Sequence, residues 1–297
     1  MPELGVCSAH RNTPLDFYIM NVIYIPTFKR HDKQIFFDNL PDRLKSKVIF
    51  VVQKQEEHLF KDKNILVVDD DIGIAKTREI IYKTAGDKRY LVVDDDVIVQ
   101  RRNAKYFSKP SNMEGSKRIL TDDDWTELEN RLNKCHDEGH ILCGFKHGTI
   151  LPRFNQPIFY NGGIFAMVSV DGKQLSKIID SIDLCYVPIS EDVHLNLELL
   201  SRGYPNAIME EFCIHQISNK EGGCKTFRTQ QLEDECYIKL NKKFPKWVKL
   251  YKTKSVKKGK LDSTPSFKTR VYYSNAYKDF VNKSEGKLPV WTLNNLV

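Results

Sequence analysis

Two stretches of this chain read Leu-Val-Val-Asp-Asp-Asp, at residues 66–71 and 91–96, and they limit the possible folds more than any other feature. In each stretch, a short apolar run that suits a buried strand ends in three carboxylates. Adjacent carboxylates repel one another, so a triplet is costly unless positive charge lies close to it. Because α/β proteins bind ligands beyond the carboxyl ends of their strands, a divalent cation is the expected partner.

The second copy is the better candidate for a metal site. It follows a complete strand–helix unit and leads to the β-branched run at 97–99, whereas the first copy runs straight into Gly73 and a helix. Asp94 and Asp96 alternate along an extended backbone and therefore point to the same side. Two carboxylates on one side suit a hard ion that keeps waters and binds phosphate. The acids at 69–71 are expected to cap the helix, touch a ligand's sugar or form a solvated turn.

The first hundred residues alternate between two kinds of pattern. Near-continuous apolar runs predict strands at 21–25, 47–52, 64–68 and 90–93, and helical patterns lie at 32–40 and 73–83. This alternation predicts an α/β fold with a mixed, mostly parallel sheet and helices on both faces.

The second half is less regular. It predicts helices at 122–136, with Thr121 as cap, at 171–181 and from Ser190 to Gly203, and strands at 141–145 and 206–215. Beyond about residue 238 the pattern weakens. We therefore expect a flexible extension at 1–20, a domain at 21–238 and a separate segment at 239–297.

Composition excludes several classes. No run among the 297 residues approaches the ~20 apolar residues of a membrane span. Residues 1–12 lack the apolar core of a signal peptide, so we expect a soluble cytoplasmic protein. The seven cysteines are odd in number and include no C-x-x-C, which argues for free buried thiols against disulfides or a zinc site.

The net charge of +7 is uneven, since residues 239–287 hold fifteen Lys or Arg against three acids, a balance of +12 that leaves −5 elsewhere. Aromatic residues interleave with these cations, as suits a polyanion whose bases can stack. Candidate DNA contacts there are Lys242, Lys243, Trp247, Lys257 and Lys258. The alternative is a solvated lysine-rich tail.

Six sequence elements occur in a fixed order: Pro26-Thr27 with Arg30, Gly73-x-Ala75-x-x-Arg78, Asp94-Asp95-Asp96, Asn161-Gly162-Gly163, Ser190-Glu191-Asp192 and Phe212-Cys213-Ile214-His215-Gln216. Over about residues 21–236 the chain resembles GT-A glycosyltransferases, whose fold is Rossmann-like. It is most similar to the phage-type family associated with TET/JBP dioxygenases. That family is thought to glycosylate hydroxymethylated pyrimidines in DNA.

The resemblance implies a nucleotide-binding half at 21–100 and an acceptor half at 101–238. It assigns Mn²⁺ or Mg²⁺ to Asp94, Asp96 and His215, with Asp95 touching the ribose or the metal. Neutral imidazole suits Mn²⁺ better than Mg²⁺. A lone histidine beside apolar neighbours is equally consistent with a structural role.

The resemblance also implies the remaining site residues. Asp192 is the first candidate for the catalytic base and Glu191 the second, although acids at a helix start can be simple caps. The donor site would be lined by Pro26, Thr27, Arg30, Arg78, Asp94, Asp95, Gly162, Gly163, Lys225 and Arg228. The two glycines would let the backbone approach the sugar, and Lys225 and Arg228 would bind the diphosphate.

The expected activity is transfer of a hexose from a UDP-sugar to the hydroxyl of 5-hydroxymethylcytosine or 5-hydroxymethyluracil in DNA, in the host cytoplasm if the protein is phage-encoded. A protein, lipid or saccharide acceptor is an alternative, as is a non-catalytic DNA-binding protein, which would not need Asp94 to Asp96. A nucleotidyltransferase is disfavoured because residues 26–30 contain no glycine. The sequence leaves open the sugar, the base, the anomeric outcome and the oligomeric state.

Overall fold

A computed structural model of the chain describes residues 21–103, 117–150, 152, 156–217, 222–223, 227–257 and 260–284, with side chains undescribed at 253–265. The predicted extension at 1–20, and also Lys225 and Lys258, therefore lie outside the described residues. These residues form a large sheet, the helices on its faces and a unit built from the C-terminal segment.

The strands of the described chain are β1 (Val22–Pro26), β2 (Val48–Gln53), β3 (Ile65–Val68), β4 (Arg89–Val93), β5 (Val97–Arg102), β6 (Lys117–Ile119), β7 (Leu142–His147), β8 (Ile158–Tyr160), β9 (Met167–Asp171), β10 (Ala207–Gln216), β11 (Val248–Lys257) and β12 (Lys260–Val271). The helices are α1 (Ile35–Asp38), α2 (Asp42–Lys45), α3 (Gly73–Thr84), α4 (Asp122–Asp137), α5 (Gly172–Leu175), α6 (Glu191–Ser201), α7 (Gln230–Lys243) and α8 (Tyr273–Lys283).

Ten strands form one sheet in the order β3-β2-β1-β4-β9-β7-β10-β5-β6, with β8 paired to β10. The pairs β2–β3, β1–β2, β1–β4 and β7–β10 are parallel. The antiparallel pairs are β4–β9, β7–β9, β5–β10, β8–β10 and β5–β6. Strands β5, β8 and β9 therefore run opposite to the other seven. Seven of the ten strands thus run in one direction, which confirms a mixed, mostly parallel sheet.

Helices cover both faces of this sheet, as predicted. On one face, Phe36 of α1, Leu44 of α2 and Leu128 of α4 belong to a core cluster with the apolar residues of β1, β2 and β4. On the other face, Ile81 of α3 and Leu195 of α6 belong to a second cluster. The strands are buried from both sides, which explains their near-continuous apolar runs.

Two predicted helices are shorter in the structure. The pattern at 32–40 folds as α1 alone, and α2 follows with Pro41 at its N-cap. The pattern at 171–181 gives only α5 and a 3-10 turn at 179–181, with the Asp171 side chain capping α5. The helix α4 agrees with its prediction, and Thr121 forms a capping box with Asp124.

The C-terminal segment folds onto the rest of the chain. Strands β11 and β12 form a hairpin, and a third cluster joins Leu197 and Leu200 of α6 to Leu240 of α7, Val248 of β11 and Ala276 of α8. The predicted boundary at 238 falls inside α7. Among the described residues, no helix is both long and apolar enough to span a membrane.

Candidate active site

The carboxyl ends of β1 and β4 open into a cavity of about 710 Å³. β1 and β4 are parallel neighbours, so Thr27 and the 94–96 triplet emerge at the same edge of the sheet. The N-terminal turns of α3 and α6 also face this cavity, through Gly73, Thr77 and Glu191. Helix N-termini favour anions, so this edge is suited to a phosphorylated ligand.

Asp95 is held by residues that follow β1. Its carboxylate accepts a hydrogen bond from the Thr27 hydroxyl at 2.8 Å and pairs with Arg30 Nη1 at 2.6 Å. Only 4% of Asp95 is exposed, and this burial raises its pKa to about 6 against the opposing effect of Arg30. The same Arg30 nitrogen lies 3.1 Å from Asp96 Oδ2. Thr27 and Arg30 are therefore placed at the triplet, where the resemblance put them.

Arg78 of α3 connects the triplet to α6. Its guanidinium donates to Asp94 Oδ1 at 2.8 Å and to Glu191 Oε1 at 2.5 Å. Burial raises the pKa of Asp94, and Arg78 opposes that rise. Pro26 lines the same cavity. Two guanidinium groups thus supply positive charge that the triplet requires.

Gln216, at the end of β10, meets both outer aspartates. Its amide nitrogen donates to Asp94 Oδ2 at 3.1 Å and to Asp96 Oδ1 at 3.3 Å. The two carboxylates therefore do point to one side, as the extended backbone predicts. Neighbouring strand residues face opposite ways, and the ring of His215 lies 5.6 Å from that of His147. Gln216 is thus the residue of this element that the structure brings to Asp94 and Asp96, and a metal-binding role for His215 stays a prediction.

The donor set fits a hard cation. Asp94 Oδ2 and Asp96 Oδ1 converge on a single amide nitrogen of Gln216. The amide can equally present its oxygen, because the two ends of a glutamine side chain are interchanged by a simple rotation. Within the described residues, no group of three or more His, Cys, Asp or Glu is arranged to hold a metal ion. Two carboxylates and one amide oxygen would leave the other positions to water and phosphate.

The two acids of α6 have different surroundings. Glu191 is paired with Arg78, whereas Asp192 accepts from the Val193 amide at 2.7 Å and has no ion-pair partner among the described residues. Burial raises the pKa of both carboxyls, and the charge of Arg78 opposes that rise. Ser190, at the N-cap position of α6, has a left-handed φ of 64° and its side chain makes no capping hydrogen bond.

The glycines at 162 and 163 do not line the cavity. Asn206 brackets Gly162, accepting from its amide at 3.0 Å and donating to its carbonyl at 2.8 Å. Asn206 also donates to Asn196 of α6. A Cβ on Gly163 would lie 2.6 Å from the rings of Phe165 and Tyr273. These glycines have packing roles in place of the predicted contact with the donor sugar.

A short glycine turn closes over Arg30. Gly222 and Gly223 have φ of 74° and 62°, which favours glycine, and the Gly223 amide donates to the Phe28 carbonyl. Arg228 lines the cavity and pairs with Glu233 at 2.5 Å. Arg228 is thus placed at the cavity as expected, whereas Lys225 lies outside the described residues.

The first aspartate triplet does not line this cavity, although Val68 before it and Gly73 after it do. Asp69, Asp70 and Asp71 are exposed at the end of β3, an edge strand. Asp70 accepts from the Gln55 amide at 2.9 Å, and Asp71 has a left-handed φ of 57°. These acids form a solvated turn before α3, which leaves the second triplet as the buried one.

Two of the five DNA contacts predicted from composition are engaged within the fold. Lys243 pairs with Glu198 at 2.5 Å, and the Trp247 indole donates to Asp279 at 3.0 Å, so both are structural. Lys242 is exposed on α7. The side chain of Lys257 and all of Lys258 lie outside the described residues.

Comparison with known proteins identifies the chain's relatives. The family model of the TET-Associated Glycosyltransferase matches residues 21–223, more than half of the sequence. The chain belongs to this family. It is therefore a glycosyltransferase, an enzyme that takes a sugar donor, and the family supports DNA as its general class of acceptor. No match was found among curated proteins.

Among solved structures, the inositol-1-phosphate CTP transferase from T. maritima is similar to this glycosyltransferase. The match has a TM-score of 0.37 and 8% identity, and it covers 72% of this chain and 94% of the other.

Several cavity-lining residues of this TET-associated glycosyltransferase lie beyond the family match. They are Phe227, Arg228, Tyr237, Thr269, Val271 and Tyr273. Sequence reasoning missed all of these except Arg228, because the cavity wall that they build comes from the weakly patterned segment after residue 238 and the turn before it. Gln216 was also missed, although it stands in the quoted His215-Gln216 element.

Proposed function

We propose that the chain is a metal-dependent glycosyltransferase that moves a hexose from a UDP-sugar to the hydroxyl of a 5-hydroxymethylpyrimidine in DNA. One observation carries this proposal within the family: a single cavity gathers Asp94, Asp95, Asp96, Glu191 and Asp192 against Arg30, Arg78 and Arg228. With all of these groups ionised, five carboxylates and three guanidinium groups leave a formal charge of −2.

That charge balance supports a cation. A nucleoside diphosphate is itself anionic, and it would be repelled from a buried cavity of charge −2. A divalent ion between Asp94, Asp96 and the amide of Gln216 would offset the excess. When bound, it would neutralise charge on the departing diphosphate. Arg228, and Arg30 where it adjoins Asp96, would add donors to phosphate.

Asp192 is the preferred base. In an inverting transfer, a carboxylate accepts the proton of the acceptor hydroxyl as that oxygen attacks the sugar. Glu191 is fixed to Arg78 by the 2.5 Å ion pair and is needed to balance its charge. Asp192 has no such partner among the described residues, and a carboxyl whose pKa is raised by burial is a stronger base.

The apolar part of the cavity suits the acceptor base. Phe165, Ile189, Val271 and Tyr273 line it, and Tyr273 lies near Asp192. Aromatic rings of this kind stack on nucleobases. About 710 Å³ has room for a nucleotide-sugar and a base but not for a duplex, whose major groove alone is about 12 Å wide. We therefore propose that the modified base leaves the stack to react.

The direct test is transfer in vitro. The full chain is incubated with a panel of UDP-sugars, with Mn²⁺ or Mg²⁺, and with DNA containing 5-hydroxymethylcytosine or 5-hydroxymethyluracil. Mass spectrometry of the digested nucleosides should show a hexose added to one modified base, and omission of the metal should abolish the product. Unmodified DNA is the matched control. Transfer only to a protein, lipid or saccharide acceptor would refute the DNA assignment and keep the enzyme class.

A further inference from the structure

The β11–β12 hairpin presents two chemically distinct faces. On one face, Val248 pairs across the strands with Val271, and Leu250 with Thr269. Val248 is fully buried in the cluster with α7 and α8, and Thr269 and Val271 line the cavity. This inner face is therefore part of the active-site wall.

The outer face is basic and exposed. Here Lys249 stands opposite Arg270, and Tyr251 stands opposite Lys268. All four residues are exposed, Tyr251 by 48%. The strand segments 248–254 and 266–271 contain no acidic residue. Positive charge here is continuous and has an aromatic ring within it.

This arrangement is unfavourable for the isolated protein. Like charges directly opposite each other on a sheet repel, and Lys249 with Arg270 is such a pair. In the described part of the chain, none of Lys249, Lys268 and Arg270 forms an ion pair with a carboxylate. Lys243 and Lys246, which precede the hairpin, both do. Among the described residues these three cations thus have no carboxylate partner, although the Lys249 ammonium donates to the Pro245 carbonyl at 2.6 Å, whereas Lys243 and Lys246 are ion-paired.

We propose that this outer face binds the phosphate backbone of the acceptor DNA. The inference rests on the proposed function, in which the acceptor base enters the cavity lined by the inner face. Because both faces belong to the same strands, phosphates flanking that base would approach the outer cations. Tyr251 offers a ring on which a displaced base can stack. The sequence alone had favoured Lys243 and Trp247, which the fold uses internally.

Charge reversal tests the proposal without unfolding the hairpin. The variant Lys268→Glu/Arg270→Glu removes two cations and places an acid opposite Lys249, which replaces a repulsive cross-strand pair by an attractive one. The matched control is Lys173→Glu/Lys177→Glu. Lys173 lies in α5 and Lys177 follows it, and both are exposed. Gly172, at the start of α5, packs on the carbonyl of Lys88 just before β4. The two lysines therefore lie at the end of the sheet opposite to the cavity. Both variants change the net charge equally, and thermal unfolding checks that both fold.

The measurement is fluorescence anisotropy with a labelled unmodified duplex over a salt series. The hairpin variant should lose about tenfold or more in affinity at about 100 mM salt, and the slope of log K against log salt should become shallower by about 2, one unit per lost phosphate contact. The control should keep the wild-type slope. Equal losses in both variants, or a wild-type slope in the hairpin variant, would overturn the proposal.

Two further arms separate this inference from its alternatives. Vesicles containing phosphatidylserine should not displace the duplex from the wild-type protein; loss of vesicle binding in the hairpin variant with duplex binding intact would assign the face to a membrane and overturn the proposal. Failure of the proposed function has a different signature, namely no transfer by the wild type to either modified DNA. If the wild type transfers sugar to modified DNA and the hairpin variant binds DNA as tightly as the wild type, the hairpin proposal is refuted and the proposed function stands.

Discussion

At the scale of single residues, each aspartate of the triplet has its own partners. Asp94 is bonded to Arg78, Asp95 to Arg30 and Thr27, and the outer two share the amide of Gln216. Asp96 accepts hydrogen bonds from Gln216 through one oxygen and from Arg30 through the other. An asparagine at this position could keep part of this hydrogen bonding, but it would lack the negative charge that a cation requires.

We therefore expect Asp96→Asn to lose Mn²⁺ affinity and to lower the transfer rate about 100-fold or more, with the melting temperature nearly unchanged. Titration with Mn²⁺ followed by electron paramagnetic resonance measures the first effect independently of activity. Asp70→Asn, in the exposed first triplet, is the control and should behave as wild type. Wild-type Mn²⁺ affinity in Asp96→Asn would contradict a metal site at this position.

Asp192→Asn should lower kcat by about 10²- to 10⁴-fold and leave donor binding unchanged, because only the proton acceptor is removed. Burial raises the pKa of Asp192, so the base is protonated at a higher pH than an ordinary aspartate. In the wild type, the fall of kcat on the acid side should therefore lie above the usual aspartate range. A change in melting temperature alone, with kcat intact, would make Asp192 a structural residue.

The comparison variant is Glu191→Gln. It removes the charge that balances Arg78, and we expect it to reduce stability and donor affinity more than the catalytic step. A larger loss of kcat in Glu191→Gln than in Asp192→Asn would reverse the assignment of the two roles.

His136 gives the protein a pH-dependent stability that is unrelated to catalysis. It is buried between the His140 carbonyl and the Ser169 hydroxyl, and burial lowers its pKa from 6.5 to about 4. Between these values the unfolded chain binds more protons than the folded one, so stability falls as the pH falls through this window. From pH 7 to 5 the loss is about 2 kcal/mol.

Urea unfolding at both pH values tests this, with His136→Gln as the comparison. The variant is less stable at pH 7, but it should lack this share of the pH dependence, because a glutamine does not titrate. Other titrating groups are common to both proteins and cancel in the difference. Identical pH dependences would show that His136 is not the group responsible.

Strand register decides which of these residues could be assigned to the site from the sequence. Asp94 and Asp96 could be assigned because alternation along one strand fixes their shared side. His215 and Gln216 could not be separated in the same way, because a shift of one residue exchanges the two faces of a strand. Only the pairing of β10 with β5, which aligns Gln216 with Val97, decides which side chain meets the triplet.

At the scale of elements, local sequence patterns predicted those strands and helices that bury a single apolar face. The strands β1 to β4 and helices α3 and α4 lie within a few residues of their predictions. The region from α7 to α8 was missed because its residues alternate between lysine and apolar types, and its partner is α6, far away in sequence. No local signal marks such a contact.

The loop between β8 and β9 is positioned by two glycines with different neighbours. A Cβ on Gly162 would meet Ile208 at 2.5 Å and Phe159 at 2.7 Å, whereas a Cβ on Gly163 would meet the rings of Phe165 and Tyr273. Those rings pack edge to face, 6.2 Å apart, at the proposed acceptor side of the cavity. The two positions therefore separate packing from acceptor binding.

Gly163→Ala should raise the KM for modified DNA several-fold while costing less than about 1 kcal/mol of stability, because ring ends move aside easily. Gly162→Ala, its matched control, should lose about 1–3 kcal/mol in the core and leave KM closer to wild type. Steady-state kinetics and urea unfolding give both quantities. An unchanged KM in Gly163→Ala would remove Phe165 and Tyr273 from the acceptor site.

At the scale of the whole molecule, the segment after residue 238 belongs to the catalytic unit. Val248 and Ala276 are fully buried, and they pack with Leu197 and Leu200 of α6, the helix that carries Asp192. Composition suggested a separate basic segment because charge dominates its sequence. The few apolar residues among those charges are the ones that attach it.

A chain truncated after Ile238 should consequently not give a stable glycosyltransferase domain. It loses the end of α7 and the buried side chains of Leu240 and Val248, each worth roughly 1.5–3 kcal/mol, together with the methyl group of Ala276, worth about 0.8 kcal/mol, against a total stability of only about 5–15 kcal/mol for a typical protein. We expect aggregation or a melting temperature lowered by more than about 10 °C. The full-length variant Ala276→Asp keeps the segment but introduces a charge into the same cluster, and it should be destabilised in the same direction. A truncated chain that melts cooperatively at the full-length temperature would show that the C-terminal unit folds independently, and it would restore the boundary that composition alone indicated.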